Sequence, residues 1–176
     1  MNIVLIGFRC SGKSSVGKIL AHELGMNFLD TDVLIAENEG CSIETIVAKY
    51  GWDYFRITEK RVIEGISKKG NLVIATGGGA VMDGENVKNL KKNGWVVWLN
   101  GKPEVIRDRM GKDATEGKIR PSLTEDDPLE EIKEVLGFRI PFYEQAADLM
   151  LDTSLVSQRE VSISIIKAIP KTGKVG

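Results

Sequence analysis

The chain has 176 residues, with 24 Lys and Arg against 25 Asp and Glu and a formal net charge of −1. That length suits one α/β domain with a full core. The balanced charge, without a basic block, argues against a nucleic-acid or anionic-membrane surface. Apolar runs are strand-length, far short of a membrane span, and the N-terminus leads straight into a strand-like run, leaving no room for a signal peptide. Cys10 and Cys41 are the only cysteines and His22 the only histidine. No CxxC spacing is present, so neither a zinc site nor a disulfide framework is expected, and a reduced, cytoplasmic setting fits best.

Residues 2–6 (Asn-Ile-Val-Leu-Ile) read as a strand. The next eight, Gly7-Phe8-Arg9-Cys10-Ser11-Gly12-Lys13-Ser14, fit G-x-x-x-x-G-K-[ST]. Val16, Ile19, Leu20 and Leu24 then recur at helical spacing. Strand, glycine loop and helix are the context in which this pattern binds the phosphates of a nucleoside triphosphate. Gly7 and Gly12 let the backbone turn and approach a ligand. The N–H groups of the loop and first helical turn, from Cys10 and Ser11 to Ser15, are expected to face an anion. Lys13 brings a positive charge for the β- and γ-phosphates, and the Ser14 hydroxyl is placed for Mg²⁺. His22, on this helix, reads as a surface residue. Cys10, beside a lysine and a helix N-terminus, is in a setting that lowers a thiol pKa; a buried inert thiol is an equal alternative.

Asp30-Thr31-Asp32 follows a second strand-like run at 27–29. Two carboxylates at a strand's C-terminal end could serve a metal and a substrate hydroxyl separately. An Asp capping a helix is the plain alternative. A helix over 53–68 places Phe55, Val62, Ile63 and Ile66 on one face, with Arg56 and Glu59 as an i, i+3 pair. The strand 72–75 leads to Gly77-Gly78-Gly79, where something is expected to approach the backbone closely. Further strands are expected at 96–99 and 148–151, so helices and strands alternate as in a parallel sheet covered on both faces. The polar stretch 111–127, which contains Arg120, reads as a mobile lid. Arg139 lies in Gly137-Phe138-Arg139-Ile140-Pro141-Phe142-Tyr143. A last helix over 157–169 uses Ile165, Ile166 and Ile169 and ends at Pro170, leaving 171–176 as a loose tail. A single domain over 1–170 is expected.

Together these motifs resemble the shikimate kinases along nearly the whole chain. The family pattern of P-loop, D-x-D, F-R-x-x-E, G-G-G, R-P and R-x-P-x-Y is met in order. Here it reads as the loop above, Asp30-Thr31-Asp32, Phe55-Arg56-Ile57-Thr58-Glu59, Gly77-Gly78-Gly79, Arg120-Pro121 and Arg139-Ile140-Pro141-Phe142-Tyr143. The resemblance implies a P-loop kinase fold with a five-stranded parallel sheet in the order 2-3-1-4-5, a lid, and substrate-binding helices over about 31–67. It implies transfer of the ATP γ-phosphoryl group to the 3-hydroxyl of shikimate, in aromatic amino-acid biosynthesis. By that likeness Asp32, Arg56, Gly77, Gly78, Gly79 and Arg139 hold shikimate, with Asp32 taking the hydroxyl proton. Ser14 binds Mg²⁺ directly and Asp30 does so through water. Arg120 reaches the phosphates from the lid, and Arg109 lies against the adenine. A monomer is implied as well.

The chain departs from the family pattern at Arg9 and Cys10, where small or apolar residues are usual. A charge at Arg9 would either alter nucleotide affinity or face solvent. Val47 stands where Phe is frequent, Trp52 where Glu is frequent, and Ser122 in place of Leu. A gluconate-kinase-like enzyme is the nearest rival, disfavoured by the Arg56 helix, the glycine triplet and Arg139. A non-catalytic nucleotide-binding protein is a more distant one, since Lys13, Asp32 and Arg120 are all present.

Overall fold

The computed structural model describes residues 1–115 and 128–170. Five parallel strands, β1 (Asn2–Ile6), β2 (Asn27–Asp30), β3 (Leu72–Ala75), β4 (Gly94–Asn100) and β5 (Leu149–Asp152), form one sheet in the order β2-β3-β1-β4-β5. This is the order implied by the resemblance. Each expected strand is found, shifted by at most two residues at an end. β1 is the central strand and is buried along its whole length, as a parallel strand covered on both faces must be.

Alternation along β1 divides the core. Ile3 and Leu5 face one side, where they pack with Val16 and Leu20 of α1 (Lys13–Leu24) and Val161 and Ile165 of α7 (Gln158–Ala168). Val4 and Ile6 face the other, against Ile63 and Ile66 of α3 (Ile43–Ser67), Leu90 of α4 (Gly84–Asn93) and Tyr143 of α6 (Pro128–Ala146). A smaller cluster joins α2 (Thr31–Glu39) to α3 through Ile35, Ile46, Phe55 and Val62. α5 (Pro103–Thr115) completes the set and packs on α6.

Three features refine the expectations. α3 starts ten residues earlier than the 53–68 helix and kinks at Gly51, whose φ is 81° and ψ 170°. α5 runs on to Thr115, so 111–115 of the stretch expected as a lid is helical; its remainder, 116–127 with Arg120 and Ser122, and the tail 171–176 lie outside the described residues. α6 is a helix that Gly137 and Pro141 conceal. Its apolar stripe, Ile132, Leu136, Tyr143 and Ala146, is buried and outweighs the hydrogen bond that Pro141 cannot make. His22 is exposed and Cys10 and Cys41 are free thiols, as expected. Among the described residues no helix is long and apolar enough to cross a membrane.

Candidate active site

The phosphate loop occupies the C-terminal end of β1, at the sheet's middle. Ligands bind at this edge of open α/β sheets. Gly12 caps α1 in a left-handed conformation, φ 98°, and contributes no side-chain cap. The N–H groups of the first turn are thereby left for an anion. Lys13 is 8 % exposed, and its ammonium donates to the carbonyls of Gly7 at 2.9 Å and Phe8 at 2.7 Å. Cys10 is half-exposed and left-handed, φ 59°. A side chain in that conformation costs about 1 kcal/mol.

Cys10, Ser11, Gly12, Ser15 and Arg109 line a cavity of about 200 Å³. These are the residues expected on the nucleotide side. Thr153, Val156 and Gln158 complete it from beyond β5; the rule that strand C-terminal ends carry ligands was the one signal pointing to them. Arg109 is locked in place. Its guanidinium donates to Thr153 Oγ1 at 3.1 Å, to the Thr153 carbonyl and to the Cys10 carbonyl at 3.5 Å.

Asp30 caps a helix, as the plain reading of its motif has it, and also reaches the phosphate loop. Oδ1 caps α2 by accepting from the N–H groups of Asp32 and Val33, while Oδ2 accepts from Ser14 Oγ at 2.6 Å. The two carboxylates do not share a strand face: Asp32 is already in the first turn of α2. Thr31, buried between them, accepts from the Gly77 N–H at 2.9 Å and ties this turn to the glycine triplet.

The triplet is the hub of the second half of the site. A Cβ on Gly77 would lie 2.7 Å from Asp32 Oδ1 and 2.8 Å from Glu59 Oε1. One on Gly79 would lie 2.4 Å from Arg56 Nη2, and one on Gly78 would lie 3.5 Å from Arg139 Nη1. The side chains expected to hold the acceptor therefore meet on these three residues; a side chain on Gly77 or Gly79 would displace Asp32, Glu59 or Arg56, while one on Gly78 would touch Arg139. Arg56 pairs with Glu59 at 2.6 Å and lies over the rings of Phe55 and Trp52, at 5.1 and 5.7 Å. Arg139 lies over the Phe8 ring at 5.8 Å.

Two buried titratable groups support this half. Burial pushes the Glu59 carboxyl up, a trend the Arg56 guanidinium opposes and the Asp32 carboxylate reinforces. Burial likewise pushes the Tyr143 phenol up to about 12. It stays protonated and donates to the Gly78 carbonyl, while its ring stacks on Trp98. Tyr143 was visible only as the end of R-x-P-x-Y; its contact with Gly78 spans 65 residues and no local pattern could announce it. Arg120, expected at the phosphates, lies outside the described residues.

Comparison with known proteins agrees with this architecture. The shikimate kinase family model matches residues 9–170. The shikimate kinase of Thermodesulfovibrio yellowstonii is 45 % identical over 166 residues, covering 94 % of this chain and 93 % of the relative. Among solved structures, shikimate kinase from Acinetobacter baumannii in complex with shikimate superposes with a TM-score of 0.87 at 34 % identity, covering 94 % of this chain and 90 % of that one. A gluconokinase from Sinorhizobium meliloti reaches a TM-score of 0.58 at 16 % identity, over 94 % of this chain and 89 % of that one; it shares the fold alone. With the motifs in order, the strand order met and the likeness extending over nearly the full length, the chain belongs to the shikimate kinase family of ATP-dependent phosphotransferases.

Proposed function

We propose that this chain transfers the γ-phosphoryl group of ATP to the 3-hydroxyl of shikimate. The observation that carries the reading is the convergence of Asp32, Arg56 and Arg139 on the glycine triplet, beside a complete phosphate loop. Two guanidiniums suit the planar, bidentate grip of a carboxylate, and a carboxylate near them suits the hydrogen bond to the reacting hydroxyl. In the step, the bond between the γ-phosphorus and its bridging oxygen breaks and a bond to the acceptor oxygen forms. The hydroxyl proton passes to Asp32, and ADP leaves. The transition state is loose, so positioning outweighs basicity. Lys13 offsets charge on the transferring oxygens, and Arg120 joins it in this reading. Arg109 and the loop N–H groups hold the nucleotide.

Ser14 and Asp30 fit Mg²⁺. They present a hydroxyl and a carboxylate oxygen 2.6 Å apart, the hard-oxygen set this ion takes alongside phosphates and waters. Ser14 would ligate it and Asp30 would act through water; when bound, the ion neutralises phosphate charge. A monomeric, cytoplasmic enzyme with ATP and shikimate as its small-molecule partners completes the proposal.

A coupled ADP-release assay with Mg-ATP tests it, with shikimate, gluconate or no acceptor. Turnover with shikimate alone is expected. Equal turnover with gluconate, or none with either, would overturn the reading.

A further inference from the structure

Arg9 sits inside the phosphate loop, and its side chain reaches α6. Its Nη2 donates to Glu131 Oε1 at 2.9 Å, and the two side chains are only 11 % and 3 % exposed. This corrects the expectation that Arg9 faces solvent.

Glu131 belongs to a row on α6. Residues 131, 135, 139 and 143 are spaced by four and share one stripe of the helix. Along that row Glu131 meets Arg9, Arg139 lies over the ring of Phe8, and Tyr143 donates to the Gly78 carbonyl. Phe8 itself is 2 % exposed and packs among Ile132 and Leu136 of α6 and Ile106 of α5. Gly78 closes the circuit: a Cβ there would lie 3.4 Å from the Arg9 backbone nitrogen and 3.5 Å from both Arg139 Nη1 and the Gly7 carbonyl. The opening of the phosphate loop and one stripe of α6 are thus joined at two points, one of them a buried ion pair, and the same stripe reaches the glycine triplet through Tyr143.

We propose that Arg9 is a positioning residue for the acceptor side: through Glu131 it seats α6, and so sets where the Arg139 guanidinium stands. The inference rests on the reading of Arg139 as a grip on the acceptor carboxylate. A buried pair contributes modest net stability, but losing one partner of it disturbs its surroundings. Here those surroundings are the row that ends at Arg139 and Gly78.

The test is a double-mutant cycle on the full chain, with KM for shikimate and for ATP, kcat, melting temperature and equilibrium binding of shikimate without nucleotide. Arg9→Met should raise the shikimate KM and dissociation constant by about tenfold, the size of coupling seen between contacting residues. The ATP KM should change by less than about twofold. Glu131→Gln, which keeps shape and is the gentler change for folding, should move the same two quantities by about threefold. Arg9→Lys, which keeps the charge without the fork, should fall between parent and Arg9→Met. In an Arg139→Ala background, Arg9→Met should add less than about twofold, because both act through one guanidinium. A rise in the ATP KM equal to that for shikimate would overturn the proposal, as would an undiminished effect in the Arg139→Ala background. If Arg139→Ala is itself impaired for shikimate while Arg9→Met is parental, the tie alone fails. If Arg139→Ala is parental for shikimate, the reading of Arg139 fails and takes the tie with it.

Discussion

In the proposed reading, most binding groups on the nucleotide side come from one continuous stretch, residues 7–15, and are largely backbone N–H groups of a loop and a helix start, with Arg109 joining them from α5. On the acceptor side they are side chains, gathered from α2, α3 and α6 onto Gly77, Gly78 and Gly79. The first half is fixed by local chain geometry. The second is fixed by side chains holding other side chains: Glu59 under Arg56, Phe8 under Arg139, Tyr143 on Gly78. Damage to the first should therefore be severe and direct. Damage to the second should be graded and should fall on one substrate.

The largest effect is expected at Lys13, a cation buried against the loop's carbonyls. Lys13→Ala should lower kcat/KM by about 10³-fold or more with either substrate varied. Steady-state kinetics would show it, and a loss that fell on shikimate alone would break the division between the halves. Gly79→Ala comes next. The Gly79 backbone, φ −104° and ψ 0°, accepts any residue, so the added methyl acts only on Arg56, whose flexible end lies 2.4 Å away. Stability should change by less than about 1 kcal/mol, while the shikimate KM rises by about tenfold and the ATP KM stays near parental. A large drop in melting temperature would mean that the triplet serves the fold instead.

Glu59 gives the comparison a pH dependence. Its carboxyl is raised by burial, against the pull of Arg56. As pH falls it protonates earlier than an ordinary carboxyl and loosens Arg56, so kcat/KM for shikimate should fall on the acid side. Glu59→Gln should remove that limb and lower kcat/KM by about fivefold at neutral pH, about 1 kcal/mol, since Gln keeps an acceptor for Arg56 and loses only the charge. The stability sign follows the same shift. Between 4.5 and its raised value the folded chain holds a proton that the unfolded chain releases. This stabilisation is complete below 4.5 and is lost as pH rises through the raised value. Melting temperatures of Glu59→Gln across that window should lack the slope; an unchanged slope would mean another group carries it. The smallest effect belongs to Trp52, 44 % exposed, whose ring Arg56 overlies. Trp52→Ala should raise the shikimate KM by about threefold, and a larger change would promote Trp52 from a shelf to a contact.

The same contrast explains what the sequence disclosed. The phosphate loop, the five strands and their order were legible because each depends on a short run of residues or on a resemblance spread over the whole chain. Asp30 was legible as a cap because it directly precedes the first turn of α2. α6 was not assigned as a helix, since Gly137 and Pro141 argue locally against one, and only burial of Ile132, Leu136 and Tyr143 overrides them. The ion pair of Arg9 was hidden for a related reason. Its partner Glu131 lies 122 residues away, and a charge in a phosphate loop suggests phosphate when read alone. Thr153 and Gln158 follow an edge strand without any motif, and only the folded sheet brings them to Cys10 and Arg109.

The division of the site is tested most directly by Arg139→Ala, with both Michaelis constants measured on the same preparation. The shikimate KM should rise by about 10- to 100-fold, as loss of a charge-assisted carboxylate contact requires, while the ATP KM stays within about twofold. An equal rise in both would contradict it, placing Arg139 in a structure the two substrates share.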